Sequence, residues 1–507
     1  MLPELGWEAD SIVIDNPPNY TRWRKGNKTL KLLDSTNYWK SSLKELGKRV
    51  GLAKLEMPGS WLDRETADTY CKRDVSILLT ALQQWIAWLK SNQLGGLGIS
   101  LAQQAWRAYV HRFMDAPIYI DNNEEALELS RAAYYGGRTE ALTVGTFLHD
   151  VTCLDVNSMY PAVMREQEYP TRLHGRYTRV NPDELKRWAD RYCVTAHCVI
   201  RTEQPFYPVR SDNGLLFPVG EFETVLSTPE IKRALENDEL LECHAACIYD
   251  KARIFTRFID ELYALRQEFA AKGDEAGKYF VKILMNSLYG KFGQRAGTEE
   301  IVGECDPKLF RVETEIDAET GKRYRWRYIG GKILLRGETG EARYSHPAIA
   351  AHVTAYARCL LWELMQIAGI QNVHYMDTDS LHVNGEGLSR LQPHCDEKKL
   401  GALKVEKRID TAIYYGPKDY ELDGKRVIKG VRADAAELDV GVYSQAQWVS
   451  LKGATVAEHR GAPLIRQVTK RFTRQYRKGR IGPANRVSPL RLALRDIVRM
   501  VKEKGGL

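Results

Sequence analysis

The segment that most limits what this chain can fold into is Tyr375-Met376-Asp377-Thr378-Asp379-Ser380, an acid pair between two apolar stretches, Asn372–Met376 and Leu381–Val383. The apolar stretches read as strands, which puts the acids at the tip of a hairpin. Two acids one residue apart aim at one spot only if the turn breaks strict alternation. Carboxylates that close repel and raise each other's pKa, so something must neutralise them. A bare Asp-x-Asp is more often a solvated turn, where Asp is common.

A second site shifts that balance. In Cys153-Leu154-Asp155-Val156-Asn157-Ser158-Met159-Tyr160-Pro161 a short apolar strand, Val151 to Asp155, stops at an acid. Asn157-Ser158 offers a helix cap beyond it, and Tyr160 follows five positions after the acid. Together the two sites supply three carboxylates, enough to hold two divalent ions about 4 Å apart. Hard oxygen donors with positions left open for phosphate favour Mg²⁺. The third element runs from Lys278 to Gly290 and places Lys278, Lys282 and Asn286 at i, i+4 and i+8, on one helix face. Stacked cations repel mildly unless an anion lies between them, and a triphosphate is such an anion. Taken alone, an exposed basic stripe explains the segment equally well.

The rest of the chain sets bounds. Its 507 residues, 44% hydrophobic, predict two to four domains with real cores, and the net charge of +8 suits a polyanionic partner. No apolar run is long enough to cross a bilayer and no signal-peptide core opens the chain, so no membrane partner and an intracellular, cytoplasmic setting (an organelle being the other option) are expected. The nine cysteines form no Cys-x-x-Cys pair. The tightest cluster, Cys243-His244-Ala245-Ala246-Cys247 with His197-Cys198 upstream, reads as free thiols on buried strands sooner than as zinc ligands. Residues 29–34 have strand character, Ser41 to Val50 reads as an amphipathic helix, and Asp63 caps a helix reaching Trp88. The breaker stretch from Ser91 to Gly98 predicts a domain boundary. Two helices broken near Gly273 are expected between Phe255 and Tyr289, then a charged hairpin region at about 300–340. Residues 466–504 hold 13 Lys and Arg against two acids, a solvated surface or a nucleic-acid contact in equal measure.

The three segments, in this order, resemble motifs A, B and C of family B DNA polymerases. Asp155-Val156-Asn157-Ser158-Met159-Tyr160-Pro161 matches A, Lys282 through Asn286-Ser287-Leu288-Tyr289-Gly290 matches B, and Tyr375 to Ser380 matches C. Tyr134-Tyr135-Gly136-Gly137-Arg138 and Lys418-Asp419-Tyr420 further resemble the Tyr-x-Gly-Gly and Lys-x-Tyr motifs of the protein-primed branch of phages and linear plasmids. The resemblance implies an α+β right hand of palm, fingers and thumb with a partial ribonuclease H-like exonuclease domain. It implies Asp155, Asp377 and Asp379 as ligands of two Mg²⁺ ions (Mn²⁺ substituting), and Lys278 and Lys282 on the triphosphate of a deoxynucleotide. Tyr160 would exclude a ribose 2′-hydroxyl, and Asn286, Tyr289 and Gly290 would shape the base-pair pocket. Tyr134, Gly136, Gly137, Arg138 and Ser287 would meet template DNA, while Lys418 and Tyr420 would steady the primer end. A terminal priming protein would be a partner of the branch.

The expected order is a partial exonuclease domain at 1–92, palm with motif A and a first insertion at 93–249, and fingers at 250–295. A second insertion at 296–345, palm with motif C at 346–410 and thumb at 411–507 complete it. Of the exonuclease motifs only Tyr70-Cys71-Lys72-Arg73-Asp74 is found. Asp63-Arg64-Glu65 has the letters of the first motif but fits a helix cap better. Little or no 3′–5′ exonuclease activity is therefore expected, from a truncated, split or naturally reduced gene. The alternatives to an active polymerase are an inactive DNA-binding relative, a primer-independent enzyme of the same fold, and a nuclease, the last disfavoured by the missing acids.

Overall fold

The computed structural model describes residues 2–14, 18–59, 63–212, 214–295, 299–321, 323–337, 340–448 and 465–493. Its contacts gather into two compact units, each assembled from separated stretches of chain. One comprises Met1–Met114, Asp260–Ser345 and Gln447–Arg466; the other comprises Asp115–Ile259, His346–Ala446 and Gln467–Leu507.

In the first unit the strands Glu8–Ile14, Asn19–Lys25 and Lys28–Leu33 form an antiparallel meander. A four-stranded sheet, ordered Glu300–Glu304, Lys332–Arg336, Arg323–Ile329, Arg311–Ile316, forms from the expected hairpin region. One apolar cluster of Ala9, Ile12, Ile14, Trp23 and Leu334 serves both sheets. Trp23 sets a close approach: a Cβ at Gly330, where φ is +61°, would stand 3.0 Å from its ring. The helix Arg64–Ser91 starts where Asp63 accepts a hydrogen bond from the Thr66 backbone, so Asp63-Arg64-Glu65 is a cap. The helices Thr256–Ala271 and Glu275–Phe292 flank Gly273 as expected. Phe280 of the second packs edge-on against Trp85 with ring centroids 4.9 Å apart, locking it against the Arg64–Ser91 helix.

Two large antiparallel sheets form the body of the second unit. The larger runs Lys425–Ile428, Asp419–Leu422, Leu403–Gly416, Leu148–Val156, Ser380–Val383, Val373–Asp377, Thr139–Ala141. The other is built on Val219–Ser227, Cys193–Thr202, Leu240–Ala252 and Tyr169–Val180, with the short Arg491–Leu492 added in parallel at its edge. The helix Pro347–Ala368 is nearly all apolar on its buried positions, and small residues (Ala348, Ala350, Ala351, Ala355, Ala357) let it lie close to its neighbours. Cys198 and Cys243 face each other across the second sheet as buried free thiols, while His197 and His244 point with Glu223 to its half-exposed side. The Cys-His cluster, expected to be free thiols sooner than zinc ligands, is thus divided between two faces of one sheet, as period-two alternation demands.

Three expected boundaries fall inside continuous structure. The Ser91–Gly98 stretch is a packed turn: Leu94 is fully buried, its carbonyl accepts from the Gln104 amide, and the Gly98 N–H donates back to the Gln104 side chain. Glycine there makes a turn tight enough to pack, which sequence cannot tell from a linker. Position 250 lies within the strand Leu240–Ala252, and position 411 within Leu403–Gly416. The end of the expected thumb, 494–507, lies outside the described residues. No helix among the described residues is long and apolar enough to cross a membrane.

Candidate active site

Asp155 is the penultimate residue of the strand Leu148–Val156, which the larger sheet holds between two partners: Asp155 pairs with Ser380 on one side and Lys404 on the other. Asp377 ends the strand Val373–Asp377, and Thr378-Asp379 makes the two-residue turn to Ser380. Thr378 takes a left-handed conformation (φ +64°), which breaks the alternation and lets both acids reach one side. The turn is held from outside. The Thr378 N–H donates to the Arg138 carbonyl at 2.7 Å, and the Asp379 carbonyl accepts from Val156 N–H at 2.8 Å.

The three aspartates line one cavity of about 710 Å³ together with Glu406, Lys418 and Tyr420. Burial, then the charge of Asp155, with Asp377 and Glu406 adding to it, pushes the Asp379 carboxyl up to about 6. Asp377 accepts a hydrogen bond from the Thr139 hydroxyl (2.9 Å) and pairs with Lys418 Nζ (3.0 Å). Asp155 pairs with Lys404 Nζ, also at 3.0 Å. Two lysines thus offset two of the acids while the third carries the repulsion. Among the described residues no set of three or more His, Cys, Asp or Glu side chains closes into metal-ligand geometry. The donor chemistry nevertheless fits: an all-carboxylate set whose mutual repulsion raises Asp379 suits a hard divalent cation.

Below the acids lies a buried polar layer. His382 hydrogen-bonds the Tyr414 hydroxyl through Nδ1 (2.6 Å) and the Cys153 thiol through Nε2 (3.2 Å). Burial lowers His382 to about 4 and raises Cys153 to about 12, so both are neutral and hold the sheet without adding charge. Tyr375 stacks on Tyr414 at 5.0 Å, meets Tyr420 edge-on at 5.3 Å, and accepts a hydrogen bond from the Lys418 N–H. Lys418 and Tyr420 are therefore packed against motif C.

Tyr160 is the second residue of the helix Met159–Glu166, half-exposed. Ser158 stands at the N-cap but in left-handed conformation (φ 51°) and makes no capping bond, so the expected cap chemistry is absent. Around Tyr134-Tyr135-Gly136-Gly137-Arg138 the structure corrects the reading. Arg138 is buried, paired with Glu140 at 2.6 Å and lying 4.2 Å over the Phe217 ring, because a charge this deep needs an internal partner. Its side chain braces the motif and does not face solvent. Gly137 admits the motif C turn: a Cβ there would meet Thr378 at 2.7 Å. Gly136 is exposed with open space, and Arg358 donates to the carbonyls of Tyr135 and Gly136.

The remaining predicted residues lie in the first unit. On the helix Glu275–Phe292, Lys278, Lys282, Asn286 and Gly290 share the outward face, opposite the buried Phe280, Val281, Leu284 and Leu288. Lys278 pairs with Glu275 at 3.0 Å, which offsets part of the expected cation repulsion. Asn286 donates to the Lys282 carbonyl and the Ser287 hydroxyl to that of Ile283; Tyr289 is half-exposed beside them. Tyr70 and Asp74 do share a helix face, and Lys54 reaches both, at 2.7 Å and 2.6 Å. Sequence reasoning missed Lys54, Lys404 and Glu406. The last two lie two residues apart on the strand Leu403–Gly416.

The mixed α and β fold is that of the right-hand polymerases. The architecture is similar to that of phi29 DNA polymerase complexed with primer-template DNA and incoming nucleotide substrates, with a TM-score of 0.66 over 92% of this chain and 85% of that one at 18% identity. The profile for DNA polymerase type B, organellar and viral, matches residues 25–323, more than half of the chain, and the chain belongs to that family. Relatives include a DNA polymerase of Kluyveromyces lactis, 26% identical over 72% of this chain and 38% of that one. The DNA-directed DNA polymerase of Enterobacteria phage PRD1 is 26% identical over 58% of this chain and 50% of its own. The DNA polymerase of Bacillus phage Nf is 29% identical over 54% and 46%. The chain spans half or less of the length of each of these curated relatives.

Proposed function

We propose that this chain is a template-directed DNA polymerase acting in replication of a phage or mobile element, and that Asp155, Asp377 and Asp379 hold its two Mg²⁺ ions, Mn²⁺ substituting. The observation that carries the reading is the convergence of these acids, 224 positions apart at the extremes, on one cavity of one sheet. When bound there, the metals lower the pKa of the attacking primer hydroxyl and offset charge on the transferring phosphoryl group. The carboxylates orient that charge and Lys404 and Lys418 balance it. Tyr160, at the start of the helix that follows Asp155, rejects a 2′-hydroxyl by volume. Lys278 and Lys282 hold the triphosphate, with Asn286, Tyr289 and Gly290 at the nascent pair. Tyr134, Gly136, Gly137 and Ser287 meet template, and Lys418 and Tyr420 meet the primer end. Primer extension on a recessed-end template, comparing the native chain with Asp379→Ala, tests this: extension lost in the variant supports it, and none by folded native protein overturns it.

Proofreading is read as weak or absent. Asp74 is the one exonuclease acid identified, and Lys54 engages it. Degradation of single-stranded DNA that Asp74→Ala abolishes would contradict this. A priming protein is a further expected partner, tested by nucleotide transfer to a protein hydroxyl in place of a DNA primer.

A further inference from the structure

Asn157 stands between the two motif A residues that matter most, Asp155 on the strand and Tyr160 on the helix, in a turn that includes the left-handed Ser158. A non-glycine residue in that conformation persists when neighbours over-determine it. The neighbour is the loop from Cys395 to Ala402. The Asn157 N–H donates to the Ala402 carbonyl, and its carbonyl accepts from the Gly401 N–H, both at 2.9 Å. The side chain adds two more bonds: Nδ2 donates to the carbonyls of Asp396 (2.8 Å) and Lys399 (3.3 Å).

The loop is itself well braced. The Asp396 carboxylate accepts from the N–H groups of Lys398 and Lys399, and its own N–H donates to the Leu403 carbonyl. Gly401, at φ +80°, leaves room for the motif A helix, since a Cβ there would stand 3.0 Å from the Ala162 methyl. Immediately after the loop comes Leu403, which pairs with Val156, then Lys404, which pairs with Asp155. The loop therefore grips the turn from the side away from the acid pair of motif C, and Asn157 is the side chain that closes the grip.

We infer that the Asn157 carboxamide is a positioning residue for nucleotidyl transfer, fixing the strand-to-helix turn so that the Asp155 carboxylate and the Tyr160 ring hold their places together. The inference rests on the polymerase reading above. Its hydrogen bonds are solvent-accessible, so their loss costs little stability, whereas a small misplacement of a catalytic group costs rate.

The test is steady-state primer extension by the native chain, Asn157→Ala, Asn157→Asp and Asp379→Ala, with melting temperature measured alongside. Asp keeps the volume of Asn157 and removes the donor. Expected for both Asn157 variants are a roughly tenfold fall in kcat, a higher Mg²⁺ concentration for half-maximal rate, weaker ribonucleotide exclusion, and an almost unchanged melting temperature. Native rates in the Asp variant overturn the inference while leaving the polymerase reading intact, as does a loss of rate that only follows loss of folded protein. Absence of extension by the native chain overturns both.

Discussion

Asp379 is where the electrostatics of the site is least comfortable. Its carboxyl stands at about 6 in the folded chain against 3.8 ordinarily, because it is buried and faces other acids. A carboxyl with a raised folded pKa costs stability when ionised. That cost is absent below about pH 4, grows from 4 to 6, and is complete above 6. Metal-free Asp379→Asn should therefore be more stable than the native chain above pH 6, by about 1–3 kcal/mol. The two melting temperatures should converge as pH falls to 4. A difference that persists unchanged at pH 4 would show that repulsion is not its origin. Tyr160→Ala should admit ribonucleotides with little loss of deoxynucleotide use, read by competing the two in extension. What the pattern made legible was position: Asp155 and Asp377 near strand ends, Asp379 in the turn between strands and Tyr160 near a helix start. Arg138 was not: nothing in Tyr134-Tyr135-Gly136-Gly137-Arg138 says that its cation turns inward to Glu140.

At the scale of elements, the helix Pro347–Ala368 braces the site. Arg358 on it is buried, pairs with the buried Glu230 at 2.7 Å, and donates to the carbonyls of Tyr135 and Gly136. Removing the arginine strands a buried carboxylate and frees the turn whose Gly137 abuts Thr378. Arg358→Ala should cost about 3–5 kcal/mol in urea unfolding; a change under about 1 kcal/mol would mean that water reaches Glu230. Helices and strands of this chain were readable from periodicity, as with Arg64–Ser91 and the pair flanking Gly273. Glycines were not, since Gly95, Gly96 and Gly98 spell a linker and a packed turn alike. Nor did local spacing reveal that Asn157 binds a loop some 240 positions away.

Across the whole molecule, the order of motifs was legible and the partition into bodies was not, because each compact unit draws on stretches far apart in sequence. The same limit applies to charge. The described residues 465–493 hold nine Lys and Arg and no acid, which reads as one basic surface. In the structure the nine divide. Arg486 is half-buried and donates to the Thr143 hydroxyl and to the carbonyls of Val373 and Ile370, and Lys478 donates to the carbonyl of Thr139. Arg474 pairs with Asp419 and Arg491 with Glu203. Arg471 and Arg480 are exposed. If the exposed cations meet DNA phosphates, each adds just under one unit to the slope of log affinity against log salt. Arg471→Ala with Arg480→Ala should then flatten that slope by between one and two, with folding unaffected. Arg486→Ala should do the reverse, leaving the slope alone and costing about 1–3 kcal/mol, since it uncaps carbonyls beside motif C. Fluorescence-anisotropy titrations of duplex DNA from 50 to 200 mM salt separate the two cases. An unchanged slope in the double variant would assign these arginines to plain solvation.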